Sequence, residues 1–476
     1  MRSRFIFLAY FSAFFLLGFS RWLGASFDDP TIDQILYHLH YSDGLGIDVG
    51  RVFLVTFAVE CLLVPLLIAV VALMLHIHVR RWTLETRRKF LGWIVHRAIP
   101  VVAVTIGITA LMAKLSVFSW AGAHFAQDRF TPHFVDAKGV TVRPVAPRNL
   151  VLIYVESLED AYGDPALWGG RDLLEPLRGL GGVSFPNYRQ APGTTWTIAA
   201  MVGTQCGVPL RVASTYEFKV KPSDGRTFLP GATCLATLLG QQGYRNVFLG
   251  GAPLSFAGKG KFLQDHGYDT LNGREEWRKE NVDPKAFSEW GLYDDDLFAK
   301  AKLKLEQLHA SGQRFNLTLL TLDTHSPHGF PSPSCRARGI KGFEDIVGCT
   351  SRQVADFVTF VRQSGYLKDT NIAIVGDHLA VSNPLGDVLH AVPDRRIFNL
   401  FISEPPAQRN RDDLMPFDLF PTLLEFAGFE VSGGRLGLGY SAFNSQRAIA
   451  SAERLQDFMQ PTLTFSETYR KLWDKP

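Results

Sequence analysis

The sequence predicts N-terminal transmembrane helices followed by an α/β domain with a mostly parallel sheet between helices. Three observations predict it. The long apolar runs all fall within the first 120 residues. From residue 149 onward, short apolar segments alternate with helical patterns. Four of the five cysteines lie in that second part. A chain of 476 residues has room for one large domain and a smaller unit. The expected division is a membrane anchor over 1–120, a linker over 121–147 and an external catalytic-sized domain over 148–476.

The first apolar run, FIFLAYFSAFFLLGFS (5–20), carries no charge and is extended by WLGA at 22–25. The second covers 52–79, with Glu60 its one formally charged residue. The third covers 98–118, with Pro100 near its start and Lys114 near its end. A helix needs about 20 apolar residues to cross a bilayer core, and each run reaches that length with some snorkelling. A cleavable signal peptide is the rival reading of the first run, because MRSR supplies a basic start.

Charge sets the orientation. The connection RRWTLETRRKFLGWIVHR (80–97) holds Arg80, Arg81, Arg87, Arg88, Lys89 and Arg97 against Glu85, whereas FDDPTIDQILYHLHYSDGLGID (27–48) is acidic. Basic loops stay cytoplasmic, so three spans place everything after residue 120 outside. The net charge of +3 gives no reason to expect a nucleic-acid partner. Cys61 sits in the second run. The remaining four, Cys206, Cys234, Cys335 and Cys349, form an even set in an oxidising compartment and allow three pairings. The local pairs Cys206–Cys234 and Cys335–Cys349 are favoured; no C-x-x-C spacing supports zinc.

Pro132, Pro144 and Pro147 make 121–147 irregular. Beyond it NLVLIYV (149–155), YRNVFLGG (244–251), FNLTLLTLD (315–323), TNIAIVGD (370–377) and IFNLFISE (397–404) read as buried strands. LATLLGQQ, DDLFAKAKLKLEQLHA and RQVADFVTFVRQ have helical spacing. Continuous apolar strands alternating with helices imply a sheet covered on both faces, with the ligand at the carboxyl ends of its strands.

Those ends hold the chemistry. The first strand ends in Glu156, the third in Asp323-Thr324-His325, and the fourth in Asp377-His378; His390 lies in the next connection. Carboxylates and imidazoles delivered to one edge suit a divalent cation, although any one of them also serves as a helix cap or loop hydrogen-bond partner. APGTTWTIAA (191–200) adds three threonines after a Pro-Gly turn, either as helix N-caps or as a nucleophile.

NLVLIYVES, PGTT, TLDTHSPH, IVGDH and FDLFPTLLEFAG together resemble the alkaline phosphatase/sulfatase superfamily, and within it the lipoteichoic-acid-synthase-like branch. The resemblance implies a sulfatase-like catalytic domain in which Glu156, Thr195, Asp377 and His378 bind a divalent metal, Mn²⁺ first and Mg²⁺ or Zn²⁺ as alternatives. It implies Thr195 as nucleophile, placed in the first turn of a helix with Thr194 and Thr197 as helix-start and packing residues. It also implies His325 at the phosphate and His390 near the phosphate or a second metal. Lys259 stands where the branch places an arginine, and Ala257 where it places an aromatic, so Lys259 is either a substrate-binding cation or a solvated lysine. The segments WGLYDDD and RLGLGYS echo the family without a derivable role. CGVPLR (206–211) approaches the cysteine motif of sulfatases, but its spacing is off by one residue.

The activity implied is transfer of phosphoglycerol from phosphatidylglycerol to a periplasmic glucan or other sugar acceptor through a phospho-threonine intermediate. A phosphoethanolamine transferase or a phosphodiesterase of the same superfamily is the alternative. The location implied is a bacterial inner membrane, multi-pass, with the catalytic domain in the periplasm.

Overall fold

The computed structural model describes residues 2–27, 30–41, 51–86, 88–211, 227–443, 458 and 464–474. Parts of the acidic 27–48 connection, and Arg87 of the basic one, lie outside the described residues. The chain divides into two compact units, Met1–Leu36 with Gly44–Gly122 and Tyr37–Asp43 with Ala123–Pro476.

The first unit has three helices long and apolar enough to cross a membrane, Ser3–Phe27, Leu54–Glu85 and Phe90–Lys114, which suggest a membrane anchor. The third begins earlier than its apolar run, because arginine and lysine are good helix formers whose stems reach along an apolar face. The basic connection is therefore mostly helix: Arg80 and Arg81 belong to the second helix, and the N–H groups of Thr86 and Arg88 bond back to Trp82 and Thr83.

The second unit is built on a six-stranded sheet. Its strands are β1 (Asn149–Val155), β2 (Arg245–Gly250), β3 (Thr270–Asn272), β4 (Phe315–Leu320), β5 (Thr370–Gly376) and β6 (Asn399–Ile402). They lie in the order β3-β2-β4-β1-β5-β6. All neighbouring pairs are parallel except β5–β6, which is antiparallel. The five predicted strands are present. The edge strand β3 was not anticipated, since three residues are too short to show a periodicity.

Every residue of β1 is buried. Leu150, Leu152 and Tyr154 join the core on one face, and Val151, Ile153 and Val155 the core on the other. That alternation explains the uninterrupted apolar run: with helices on both faces, neither side of the strand meets water. Each such aliphatic side chain contributes about 1.5–3 kcal/mol.

The covering helices used below are α1 (Thr197–Cys206), α2 (Leu235–Gln241), α3 (Asp294–Ala310) and α4 (Phe343–Gln363). The last starts nine residues before its predicted pattern, with Glu344 and Asp345 in the first turn. Disulfides join Cys206 to Cys234 and Cys335 to Cys349, the two local pairs.

The stretch expected as a linker is partly built into this unit. Val142–Pro144 pairs antiparallel with Phe429–Val431, Val135 exchanges hydrogen bonds with Gly437, and Phe130 is buried. Prolines set its irregular path, yet its apolar residues find the core.

Candidate metal centre and nucleophile turn

The register of the sheet assembles the site. β1 and β5 pair Val155 with Gly376, so the next residues, Glu156 and Asp377, leave the sheet side by side. β1 and β4 pair Tyr154 with Leu320, which sets the Asp323–His325 turn on the other flank. Gly376 permits the close approach of the chain leaving β1, since a Cβ there would lie 1.9 Å from the Leu158 carbonyl oxygen.

Glu156, Asp377 and His378 are all buried, and each offers a ligand atom within 4.8 Å of the others. His378 Nε2 lies 3.6 Å from Glu156 Oε1 and 3.3 Å from Asp377 Oδ2. Its Nδ1 faces the Leu379 carbonyl at 2.8 Å. A carbonyl only accepts, so Nδ1 carries a proton and Nε2 is the nitrogen turned toward the carboxylates. Asp377 Oδ1 accepts N–H bonds from Ser157 and His378, while Oδ2 is buried without a hydrogen bond.

Electrostatics describe a site that demands positive charge. Burial, then Glu156, pushes Asp377 up to about 7. Burial opposes charge on Glu156 too, but His325, His378, the Ser157 hydroxyl and Lys259 outweigh it and hold Glu156 below its ordinary value. Burial works against a charged His378, yet Asp377 and Glu156 raise it. Two dry carboxylates, an inward-facing imidazole nitrogen and an unpartnered Oδ2 fit a hard or borderline divalent cation.

Lys259 is 4% exposed, so it is not a solvated lysine. Burial lowers it to about 8, against the pull of Glu156 and Asp377. His325 is half-buried; its Nδ1 donates to the Ser326 carbonyl at 2.7 Å, leaving Nε2 for another partner. Trp290, from the WGLYDDD segment, covers the His325 ring at 4.7 Å between centroids, and Phe256 packs edge-on against Trp290. Position 257 itself carries no aromatic; Trp290 puts a ring beside His325, and Phe256 a second ring beside Trp290. His390 is not part of the three-ligand group. It ends a short helix, Gly386–His390, is exposed, and acts electrostatically on the buried Glu159.

The threonine turn also differs from expectation. α1 starts at Thr197 with Trp196 as its N-cap and no capping side chain, so Thr195 lies on the approach to the helix rather than in its first turn. Gly193 is in the left-handed region at φ 74°, and Thr194 closes the turn. Its hydroxyl donates to the Ala191 carbonyl at 2.6 Å and accepts the Ala191 N–H at 3.2 Å. Thr195 is half-buried. Thr197 does more than pack: its hydroxyl donates to Glu156 Oε2 at 3.4 Å.

A family profile described as Sulfatase matches residues 148–429. The chain belongs to the sulfatase family. Membership does not make it a sulfatase, because a family hosts many activities and Cys206 is held in a disulfide. This sulfatase-family chain is 36% identical over 340 residues to phosphoglycerol transferase I of Escherichia coli O6:K15:H31 (strain 536 / UPEC), covering 69% of this chain and 43% of that protein. It is 40% identical over 326 residues to phosphoglycerol transferase I of Xanthomonas campestris pv. campestris (strain B100), covering 65% and 45%. The chain therefore spans less than half the length of these curated relatives. Among solved structures, the lipoteichoic acid synthase LtaP of Listeria monocytogenes shares the fold with a TM-score of 0.51 at 20% identity, covering 65% of this chain and 80% of that one. An alkaline phosphatase superfamily protein of Vibrio parahaemolyticus gives 0.50 at 21%, covering 70% and 78%.

Three contacts at the site left no signal of their role in the sequence pattern of strand ends. Ser157 and Thr197 touch metal-ligand candidates, and Asp294 clasps the His325 turn: its carboxylate accepts the N–H groups of Leu322 and Asp323, while Asp323 accepts that of Asp294. The three-aspartate start of α3 was the available signal for Asp294.

Proposed function

We propose that this sulfatase-family chain is a metal-dependent phosphotransferase of the membrane surface, moving phosphoglycerol from phosphatidylglycerol to a sugar hydroxyl. Glu156, Asp377 and His378, with the Thr195 hydroxyl, would hold the metal, Mn²⁺ first and Mg²⁺ or Zn²⁺ as alternatives. When bound, the metal supplies the charge that lowers the Thr195 hydroxyl pKa and stabilises the phosphoryl oxygens. The single observation that carries this reading is the buried Glu156–Asp377–His378 group beside a threonine turn that reaches Glu156 through Thr197.

In the first step the Thr195 oxygen bonds to phosphorus and loses its proton, and the diacylglycerol oxygen departs with a proton. In the second, a sugar hydroxyl bonds to phosphorus and gives up its proton, the bond from phosphorus to the Thr195 oxygen breaks, and that oxygen takes up a proton to restore the hydroxyl. Lys259 and His325, both close enough to act on Glu156, would hold the phosphodiester oxygens. His390, exposed and outside the three-ligand group, would bind substrate rather than the metal. The names of the curated relatives support phosphoglycerol over phosphoethanolamine. The apolar helices support an anchor over 1–120. We propose that it keeps 148–476 beside its lipid donor, in the periplasm of a bacterial inner membrane, with a periplasmic glucan as acceptor.

Full-length protein incubated with headgroup-labelled phosphatidylglycerol and a glucan tests this. Labelled glucan, and a phosphoglycerol adduct mapped by mass spectrometry to Thr195, are expected. Labelled free glycerol phosphate alone would make the enzyme a hydrolase, and label transferred only from phosphatidylethanolamine would change the donor.

A further inference from the structure

We infer that Ser157 is a positioning residue that fixes the geometry of Glu156 and Asp377 toward a bound cation. The inference rests on the metal reading above. Ser157 is buried, and it bridges the two carboxylates in one residue. Its hydroxyl donates to Glu156 Oε1 at 2.8 Å, and its backbone N–H donates to Asp377 Oδ1 at 2.8 Å. With Oδ1 occupied, Asp377 turns Oδ2 toward His378.

The backbone at Ser157 makes the bridge possible. Its φ is 54°, in the left-handed region that a serine seldom adopts. The turn is tight: Leu158 N–H returns to the Val155 carbonyl at 3.3 Å, and the Leu158 carbonyl takes the Phe398 N–H at 3.1 Å. This reversal aims the Ser157 N–H across to β5 and brings its side chain back over Glu156. Glycine would adopt the same turn without strain, so a serine held there indicates a task for its hydroxyl. Groups that hydrogen-bond to metal-ligating carboxylates fix their orientation, and their loss weakens metal binding about ten- to a hundredfold.

The test uses full-length protein in detergent, comparing wild type, Ser157→Ala and Ser157→Gly by calorimetric titration with Mn²⁺ and separately with Zn²⁺, alongside metal-free melting. Both variants are expected to bind about ten- to a hundredfold more weakly. Ser157→Gly is expected to melt, metal-free, no lower than wild type, because glycine relieves the left-handed residue. Unchanged affinity in both variants overturns the inference. Weaker binding by Ser157→Ala with wild-type binding by Ser157→Gly also overturns it, because backbone strain would then be the cause. A wild type that binds neither ion removes the metal reading itself, an outcome separate from the other two.

Discussion

At the scale of single residues, three threonines close together have three different surroundings. Thr194 is fully buried and spends its hydroxyl on both polar groups of Ala191, so Thr194→Ala leaves the buried Ala191 N–H unpaired. A cost of about 1–3 kcal/mol in stability is expected, more than loss of a simple cap, with activity retained in the folded fraction. Thr195→Ala is expected to abolish both the phosphoglycerol adduct and transfer, with a melting temperature close to wild type, because a half-buried hydroxyl and one methyl are lost. Adduct formation by Thr195→Ala, with none by Thr197→Ala, would move the nucleophile to the threonine that touches Glu156. Glu156, Asp377 and His378 were legible as strand-end residues because a parallel sheet delivers the ends of its strands to one edge, where the register sets Glu156 beside Asp377. Ser157 and Thr197 were not, since their roles depend on a left-handed turn and on a helix starting two residues later than the glycine spacing suggested.

At the scale of elements, the junction of β4 and α3 explains the WGLYDDD segment. Asp294 and Asp323 exchange carboxylate-to-backbone bonds, Ser332 N–H adds a further bond to Asp323, and Trp290 leans on His325. The cost is two carboxyls in a dry place. Burial pushes Asp294 up to about 7, and burial followed by Asp294 raises Asp323 well above the usual carboxylate range. A carboxyl whose folded pKa is raised binds more proton when folded than unfolded. Stability is therefore lost as pH rises from about 4, the unfolded value, through about 7. Melting followed by tryptophan fluorescence at pH 5, 6 and 7.5 is expected to show a decline that is shallower in Asp294→Asn. An identical slope in the variant would dissociate the pair from the pH response. Asp294→Ala leaves two buried N–H groups without acceptors and is expected to cost about 2–4 kcal/mol, with weakened substrate binding as the His325 turn loosens. The strands and most helices were legible from apolar runs and helical spacing. The short edge strand and the antiparallel direction of β6 were not, because direction leaves no trace in a run of four buried residues.

At the scale of the molecule, composition divides the chain near residue 120 and the structure near 122, because one part has no polar face to give water and the other buries its apolar residues in a sheet. The assignment of Tyr37–Asp43 to the second unit had no signal in sequence, being a tertiary choice of an otherwise polar connection. Two independent observations support the proposed orientation. The positive residues cluster where the second helix turns into the third, and basic ends remain cytoplasmic. The second unit closes two disulfides, and structural bridges mostly form in an oxidising compartment. Those bridges also stabilise: closing 14 residues in Cys335–Cys349 contributes roughly 3 kcal/mol by loop entropy. The proposed orientation puts residue 130 outside and residue 85 inside. A reporter active only in the periplasm is expected to work when fused at 130 and to stay silent when fused at 85. The double substitution Cys335→Ala/Cys349→Ala is expected to lower the melting temperature of protein matured in an oxidising compartment and to leave unchanged that of protein made under reducing conditions. Activity at 85 and silence at 130 would reverse the orientation and leave the disulfides in a compartment that does not keep them.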